Sequence, residues 1–137
     1  VAACTDLGIG QIAWSPLAQG VLSGKYLPGQ PPPPSSRATD SDGAAYISRW
    51  MHDDVLAAVQ RLRPLAEGLG LSLAQMSLAW VLSRPTVSAA IIGASRPEQV
   101  AENARAVGVV LAAEVLAEID ATLGAVVAYR YQGTPDA

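Results

Sequence analysis

An α/β fold with parallel strands and crossover helices is what this sequence predicts, on three observations. Two short apolar runs, Gly8-Ile9-Gly10-Gln11-Ile12-Ala13-Trp14 and Val87-Ser88-Ala89-Ala90-Ile91-Ile92, have the length and abrupt ends of buried strands. Each is followed by segments with helical spacing. Half of the residues are hydrophobic and 15% are charged, a balance that supports a buried core and excludes a disordered chain.

The elements follow in order. The first strand ends at Ser15-Pro16, a turn signal. Between Tyr26 and Trp50 apolar residues are scarce, and Pro31-Pro32-Pro33-Pro34 cannot join a helix or a central strand. A long loop with polyproline character is expected there, either functional or disordered. Asp53 and Asp54 favour a helix start, and Val55, Leu56, Val59, Leu62, Ala66 and Leu69 trace one face. Pro64 should kink or shorten that helix, and Gly68 and Gly70 should stop it. Ser72-Leu73-Ala74-Gln75 has the form of a capping box opening a helix through Leu82, closed by Arg84-Pro85. After the second strand and Gly93, Ser95-Arg96-Pro97-Glu98 has the same form, for a helix to about Val107. A last helix is expected from Ala113 to Leu123, with Leu116, Ile119 and Leu123 inward and Gly124 as its stop. Tyr129 and Tyr131 either pack on the body or stay in solvent.

Parallel strands belong to sheets covered on both faces, and two of them cannot build such a sheet alone. The chain also lacks an initiator methionine. A piece of something longer is the expectation. The formal charge of −3 offers no basic field for a phosphate backbone, so nucleic acid is not an expected partner. The single cysteine, Cys4, excludes an internal disulfide framework or zinc cluster, no metal site is expected, and a reducing, cytoplasmic compartment fits. No apolar run approaches the roughly 18 residues that span a bilayer, so no membrane partner is expected.

Ligands of α/β folds sit at the C-terminal ends of strands. The first such place is Trp14-Ser15-Pro16-Leu17-Ala18-Gln19-Gly20 through Lys25, the only lysine. Its backbone amides and Lys25 suit a diphosphate, and Trp14 offers a face for a stacked ring. A core tryptophan followed by ordinary turn residues would produce the same pattern. The second is Gly93-Ala94-Ser95-Arg96, where free amides meet the positive end of a helix. Ser95 is able to cap the helix, bind phosphate, or alternate between the two. Arg96 adds a fork-shaped cation, and Gln99, Glu102 and Asn103 share one face, as they also would on a merely solvated helix.

Both segments resemble the aldo-keto reductase family, in the branch that includes potassium-channel beta subunits. Leu7-Gly8-Ile9-Gly10, Ser15-Pro16-Leu17-Ala18-Gln19-Gly20 and Ser23-Gly24-Lys25-Tyr26 resemble its seventh strand and loop. Ser72-Leu73-Ala74-Gln75 through Leu78-Ala79-Trp80-Val81-Leu82 resembles its seventh helix region. Ile91-Ile92-Gly93-Ala94-Ser95-Arg96-Pro97-Glu98-Gln99-Val100 with Glu102-Asn103 resembles the eighth strand and helix, and Ala113 to Gly124 the extra closing helix. The resemblance implies the C-terminal portion of a (β/α)8 TIM barrel, an incomplete barrel of the last two β/α units plus a closing helix. Residues 1–124 would form the partial domain and 125–137 a tail.

The same resemblance implies NADPH, the reduced form of NADP, as cofactor in preference to NADH. Trp14 would stack on the nicotinamide, and Ser15, Pro16, Leu17, Ala18, Gln19 and Lys25 would line the diphosphate path. Arg37 would lie on the loop over the cofactor, which is proline-rich in this chain. Gly93, Ser95, Arg96, Gln99, Glu102 and Asn103 would surround the adenosine end, with Ser95 and Arg96 near the 2′-phosphate. The family's catalytic Asp, Tyr, Lys and His come from earlier strands, and nothing here takes those roles. Lys25 and Tyr26 match the cofactor loop, and His52 stands alone before a helix. Three readings follow: an inactive part of a carbonyl reductase, a nucleotide-binding regulator like a channel beta subunit, or a truncated product without function.

Overall fold

The structure is a computed structural model and describes residues 2–131, with side chains for residues 3–127. Two strands, β1 (Gln11–Trp14) and β2 (Val87–Ile91), pair in parallel, with Gln11 against Val87 and Trp14 against Ile91. A parallel pair needs a long crossover. Here it carries α2 (Gly43–Ile47), α3 (Asp53–Arg61), α4 (Arg63–Gly68) and α5 (Leu73–Leu82). Helix α1 (Ala2–Asp6) precedes β1, and α6 (Pro97–Ala104) and α7 (Ala113–Tyr131) follow β2. An α/β order is observed, as expected.

The core lies off the sheet. Val55, Leu56 and Val59 of α3, Met76 of α5, and Ile119 and Leu123 of α7 bury against Val21, Leu22, Tyr26 and Ile47 from the crossover. One face of the sheet is bare instead: Ile12, Trp14 and Ile91 are 64%, 71% and 55% exposed. Among the described residues no single helix is long and apolar enough to cross a membrane.

Several elements differ from expectation for identifiable reasons. The first strand begins only at Gln11, because helix α1, which the sequence pattern did not predict, closes on Ile9 N–H to Cys4 O at 2.8 Å. The long loop contains α2 and two 3-10 turns, Arg37–Thr39 and Ser48–Trp50. Asp40 Oδ1 accepts from Asp42 N–H (3.0 Å) and Gly43 N–H (2.7 Å), and Ile47 anchors α2 at 1% exposure, so a polar segment gains a turn of helix. Pro31–Pro34 stay outside helix and strand, as expected.

The helix over 53–69 divides at Leu62, and Pro64 sits in the first turn of α4, where its missing N–H has no intrahelical partner to lose. Leu69, assigned to the buried face, is 43% exposed. The Ser72 capping box forms: Gln75 N–H donates to Ser72 Oγ (3.2 Å) and Ser72 N–H to Gln75 Oε1 (3.0 Å). The second box does not. Arg96 takes the N-cap position without a side-chain cap, Pro97 opens the helix, and α6 ends at Ala104 rather than Val107. Helix α7 passes through Gly124 to Tyr131. Glycine inside a helix costs roughly 1 kcal/mol, which burial of Leu123 and Val126 offsets. The side chains of Tyr129 and Tyr131 lie outside the described residues.

Candidate functional site

The turn after β1 is a strained loop held from outside. Ser15, Ala18 and Gln19 adopt φ of 54°, 48° and 60°, left-handed values that cost a non-glycine residue about 1–3 kcal/mol each. Such a conformation persists only where the surroundings fix it. Ala18 N–H reaches Ser15 O at 2.9 Å, and Gly20 and Leu22 N–H both reach Leu17 O. Gln19 Nε2 donates to Ser15 Oγ at 2.7 Å. Farther along, Gln60 of α3 donates to Gly24 O (2.9 Å) and Tyr26 O (3.0 Å), Arg63 of α4 to Gly24 O (3.0 Å), and Ser77 of α5 to Leu22 O (3.3 Å). Gly24 has φ of 75°, and a Cβ there would lie 2.5 Å from Leu73 Cδ1. Three helices therefore pin the end of this loop, from Leu22 to Tyr26.

The turn after β2 is held locally. Gly93, Ala94, Ser95 and Arg96 are exposed, and among the described residues Ser95 bonds to its neighbour Gln99, through N–H (2.8 Å) and Oγ (3.2 Å) to the same Oε1. Asn103 is buried. Gln75 Nε2 donates to Glu102 O at 3.1 Å, which ties α6 to α5.

Both turns open into one cleft of about 880 Å³. Ser15, Pro16, Leu17, Gln19 and Lys25 line it from the first turn, Arg37 from the crossover, and Gly93, Ser95, Gln99, Glu102 and Asn103 from the second. Three expected residues stand outside that lining. Trp14 presents its ring on the bare face of the sheet, and its register partner Ile91 does border the cleft. Ala18 is half-buried within its turn, and Arg96 projects at the N-cap of α6. Gly20 and Ser23, inside the first candidate segment but given no role, also line the cleft, and sequence pattern missed Ser35, Ser36 and Tyr46. The run Ser35-Ser36-Arg37 was the available signal, since two hydroxyls flank the arginine that was singled out. Ser36 Oγ is buried and has no hydrogen-bond partner.

The donor set suits phosphates: Lys25 and Arg37 supply positive charge and the hydroxyls of Ser15 and Ser35 can donate, whereas Ser23 Oγ already donates to Gly20 O (2.7 Å) and Ser95 Oγ to Gln99 Oε1 (3.2 Å). Of the acids on the cleft, Asp40 already bonds the amides opening α2. His52 is exposed at the N-cap of α3, outside the cleft. Away from the site, Asp120 of α7 accepts from Trp80 Nε1 of α5 at 2.8 Å and pairs with Arg84, whose guanidinium lies 5.0 Å from the Trp80 ring centroid. The Arg84 hydrogen bond, assisted by Trp80, lowers the Asp120 carboxyl pKa against a desolvation that raises it. This cluster fastens the closing helix at the far end of β2.

The sequence profile of the aldo/keto reductase family matches residues 1–123. The chain belongs to the aldo/keto reductase family. It is 46% identical over 106 residues to a "Probable voltage-gated potassium channel subunit beta" of Arabidopsis thaliana, covering 77% of this chain and 32% of that protein. A protein of the same description from Oryza sativa subsp. japonica is 42% identical over 118 residues, 85% of this chain and 36% of its own length. An "L-glyceraldehyde 3-phosphate reductase" of Escherichia coli O157:H7 is 37% identical over 114 residues, 82% and 33% of the two chains. This aldo/keto reductase chain thus spans about a third of the length of the curated relatives it matches. The family implies a TIM-barrel fold, and the described residues hold a two-stranded parallel sheet.

Proposed function

We propose that this chain is the NADPH-binding, C-terminal part of an aldo-keto reductase that reduces aldehydes or ketones. Residues 1–124 would be the last two β/α units and closing helix of an otherwise incomplete barrel, and 125–137 an extension that α7 enters. The observation that carries the reading is the shared cleft: Lys25 and Ser95, from turns after separate strands, line one cavity. The bare sheet face with Ile12, Trp14 and Ile91 supports the partial barrel, because a parallel sheet is ordinarily covered on both sides.

In this reading the pinned first turn cradles the diphosphate, with Lys25 and Arg37 neutralising it and the Ser15 hydroxyl donating to it. Ser95 and Arg96 hold the 2′-phosphate, and Gln99, Glu102 and Asn103 border the adenine. The exposed Trp14 ring stacks against the nicotinamide, which supplies hydride when bound. No residue of this chain is assigned to proton transfer, so the 137 residues alone would not turn over. Similarity to channel beta subunits favours a second reading, in which the same cofactor site serves a regulatory subunit with a protein partner.

Tryptophan-fluorescence titration with NADPH tests the site. Saturable quenching is expected, weakened by Lys25→Ala and by Arg96→Ala, and binding by both variants unchanged from wild type would overturn the assigned roles. Steady-state aldehyde reduction by the isolated chain would overturn the statement that catalysis needs residues outside it.

A further inference from the structure

The four prolines of the crossover line no part of the cleft, and their exposure has a period. Proline fixes φ near −65°, and a proline that follows forces the residue before it to extended ψ, so Pro31, Pro32 and Pro33 are confined to polyproline II backbone. That helix repeats every three residues, which puts Pro31 and Pro34 on one ridge. The burial follows the same repeat: Pro31 and Pro34 are exposed, and Pro32 and Pro33 are half-buried. Both ends of the run are tied down. Before it, Gly29 N–H donates to Asp53 Oδ1 at 2.9 Å and Gln30 N–H to Leu27 O at 3.3 Å. After it, Ser36 N–H donates to Thr39 Oγ1 (3.1 Å), which donates back to Ser36 O (2.9 Å). Among the described residues no hydrogen bond uses the carbonyls of Pro31 to Pro34.

We propose that Pro31 to Pro34 form a docking ridge for a protein module whose groove is lined with tryptophan and tyrosine. Rings of such a groove pack on the outward prolines, and its indole N–H and phenol O–H groups donate to the unpaired carbonyls. The ridge is stiff and anchored before a partner arrives, so docking loses little conformational freedom. Proline has no N–H, which rules out strand addition as the mode of docking. No charged residue lies between Gly29 and Ser36, so recognition rests on ridge shape and carbonyls rather than on ion pairs. The proposal is independent of what the cleft binds.

The test titrates the full-length protein into dye-labelled isolated SH3, WW and EVH1 domains, which carry aromatic grooves of this kind, and follows fluorescence anisotropy. Saturable binding by at least one domain is expected. Pro31→Ala and Pro34→Ala should each weaken it about tenfold, the scale of truncating an interface anchor, and Pro33→Ala, on the side turned to the body, less than about twofold. Each single replacement loosens the backbone to a similar degree, so the comparison separates the ridge from mere stiffness of the loop. If no domain binds the wild-type protein, the docking ridge is overturned. If Pro33→Ala weakens binding as much as Pro31→Ala and Pro34→Ala do, the outward ridge is not what is recognised, and the proposal fails.

Discussion

The loop after β1 and the turn after β2 face the same cleft, yet they are built on different physical terms. The first carries three strained non-glycine residues closed by local hydrogen bonds, and helices α3, α4 and α5 fix the stretch that follows them at Leu22, Gly24 and Tyr26. The second has no such support and satisfies Ser95 through its own helix. A pre-set loop binds without reorganising, whereas a self-satisfied turn must exchange one partner for another. On the proposed reading the first would meet the diphosphate, which every dinucleotide carries, and the second the 2′-phosphate, which NADH lacks.

The sharpest way to break this contrast is a pair of glycine substitutions. Gly24→Ala meets Leu73 and Arg63 at positive φ and should cost about 2–4 kcal/mol in urea unfolding. Gly93→Ala, with open space around its Cβ direction, should stay within about 0.5 kcal/mol. Equal costs would erase the distinction. Next, Lys25→Ala should weaken NADPH and NADH alike by roughly 10- to 100-fold, the scale of a charged hydrogen bond, while Arg96→Ala should weaken NADPH selectively. Both losses are read by the same titration. Smaller again, Gln19→Ala should reduce affinity for both nucleotides about threefold by releasing Ser15, with their ratio unchanged. A changed ratio would show that Gln19 acts on the group by which the two nucleotides differ.

The smallest effect concerns the anchor of the second unit. Asp120 has its pKa depressed by Arg84, so its contribution is complete above the unfolded carboxylate value of about 3.9 and is lost as pH falls through the folded one. The pair is nearly half exposed, which limits Asp120→Asn to under about 1 kcal/mol at pH 7. Urea unfolding should show a larger difference between wild type and variant at pH 7 than at pH 3.

How much of this was legible in the sequence depended on how local the cause is. The Ser72 capping box, the inward face from Val55 to Ala66 and the breaks at Pro64 and Pro31–Pro34 depend on neighbours within a few residues, and each was readable. Helix α2 depends on Ile47 reaching a core made elsewhere, and α7 continues past Gly124 because Val126 finds the same core. Neither cause is visible in a local window. At the site, the cleft-lining hydroxyls of Ser23, Ser35 and Ser36 are ordinary loop residues until the crossover folds over the first turn. Ser95 was open between capping and binding. The structure turns it away from its own helix cap because Pro97 moves the helix start one residue on, leaving Gln99 to take its donors.

That one dinucleotide bridges the two turns is tested most directly by following backbone amide resonances during an NADPH titration. Amides of Ser15, of Leu17 to Gln19 and of Gly93 to Ser95 should shift together, along one saturation curve with one nucleotide per chain. Two curves with different midpoints, or movement confined to one of the turns, would contradict it.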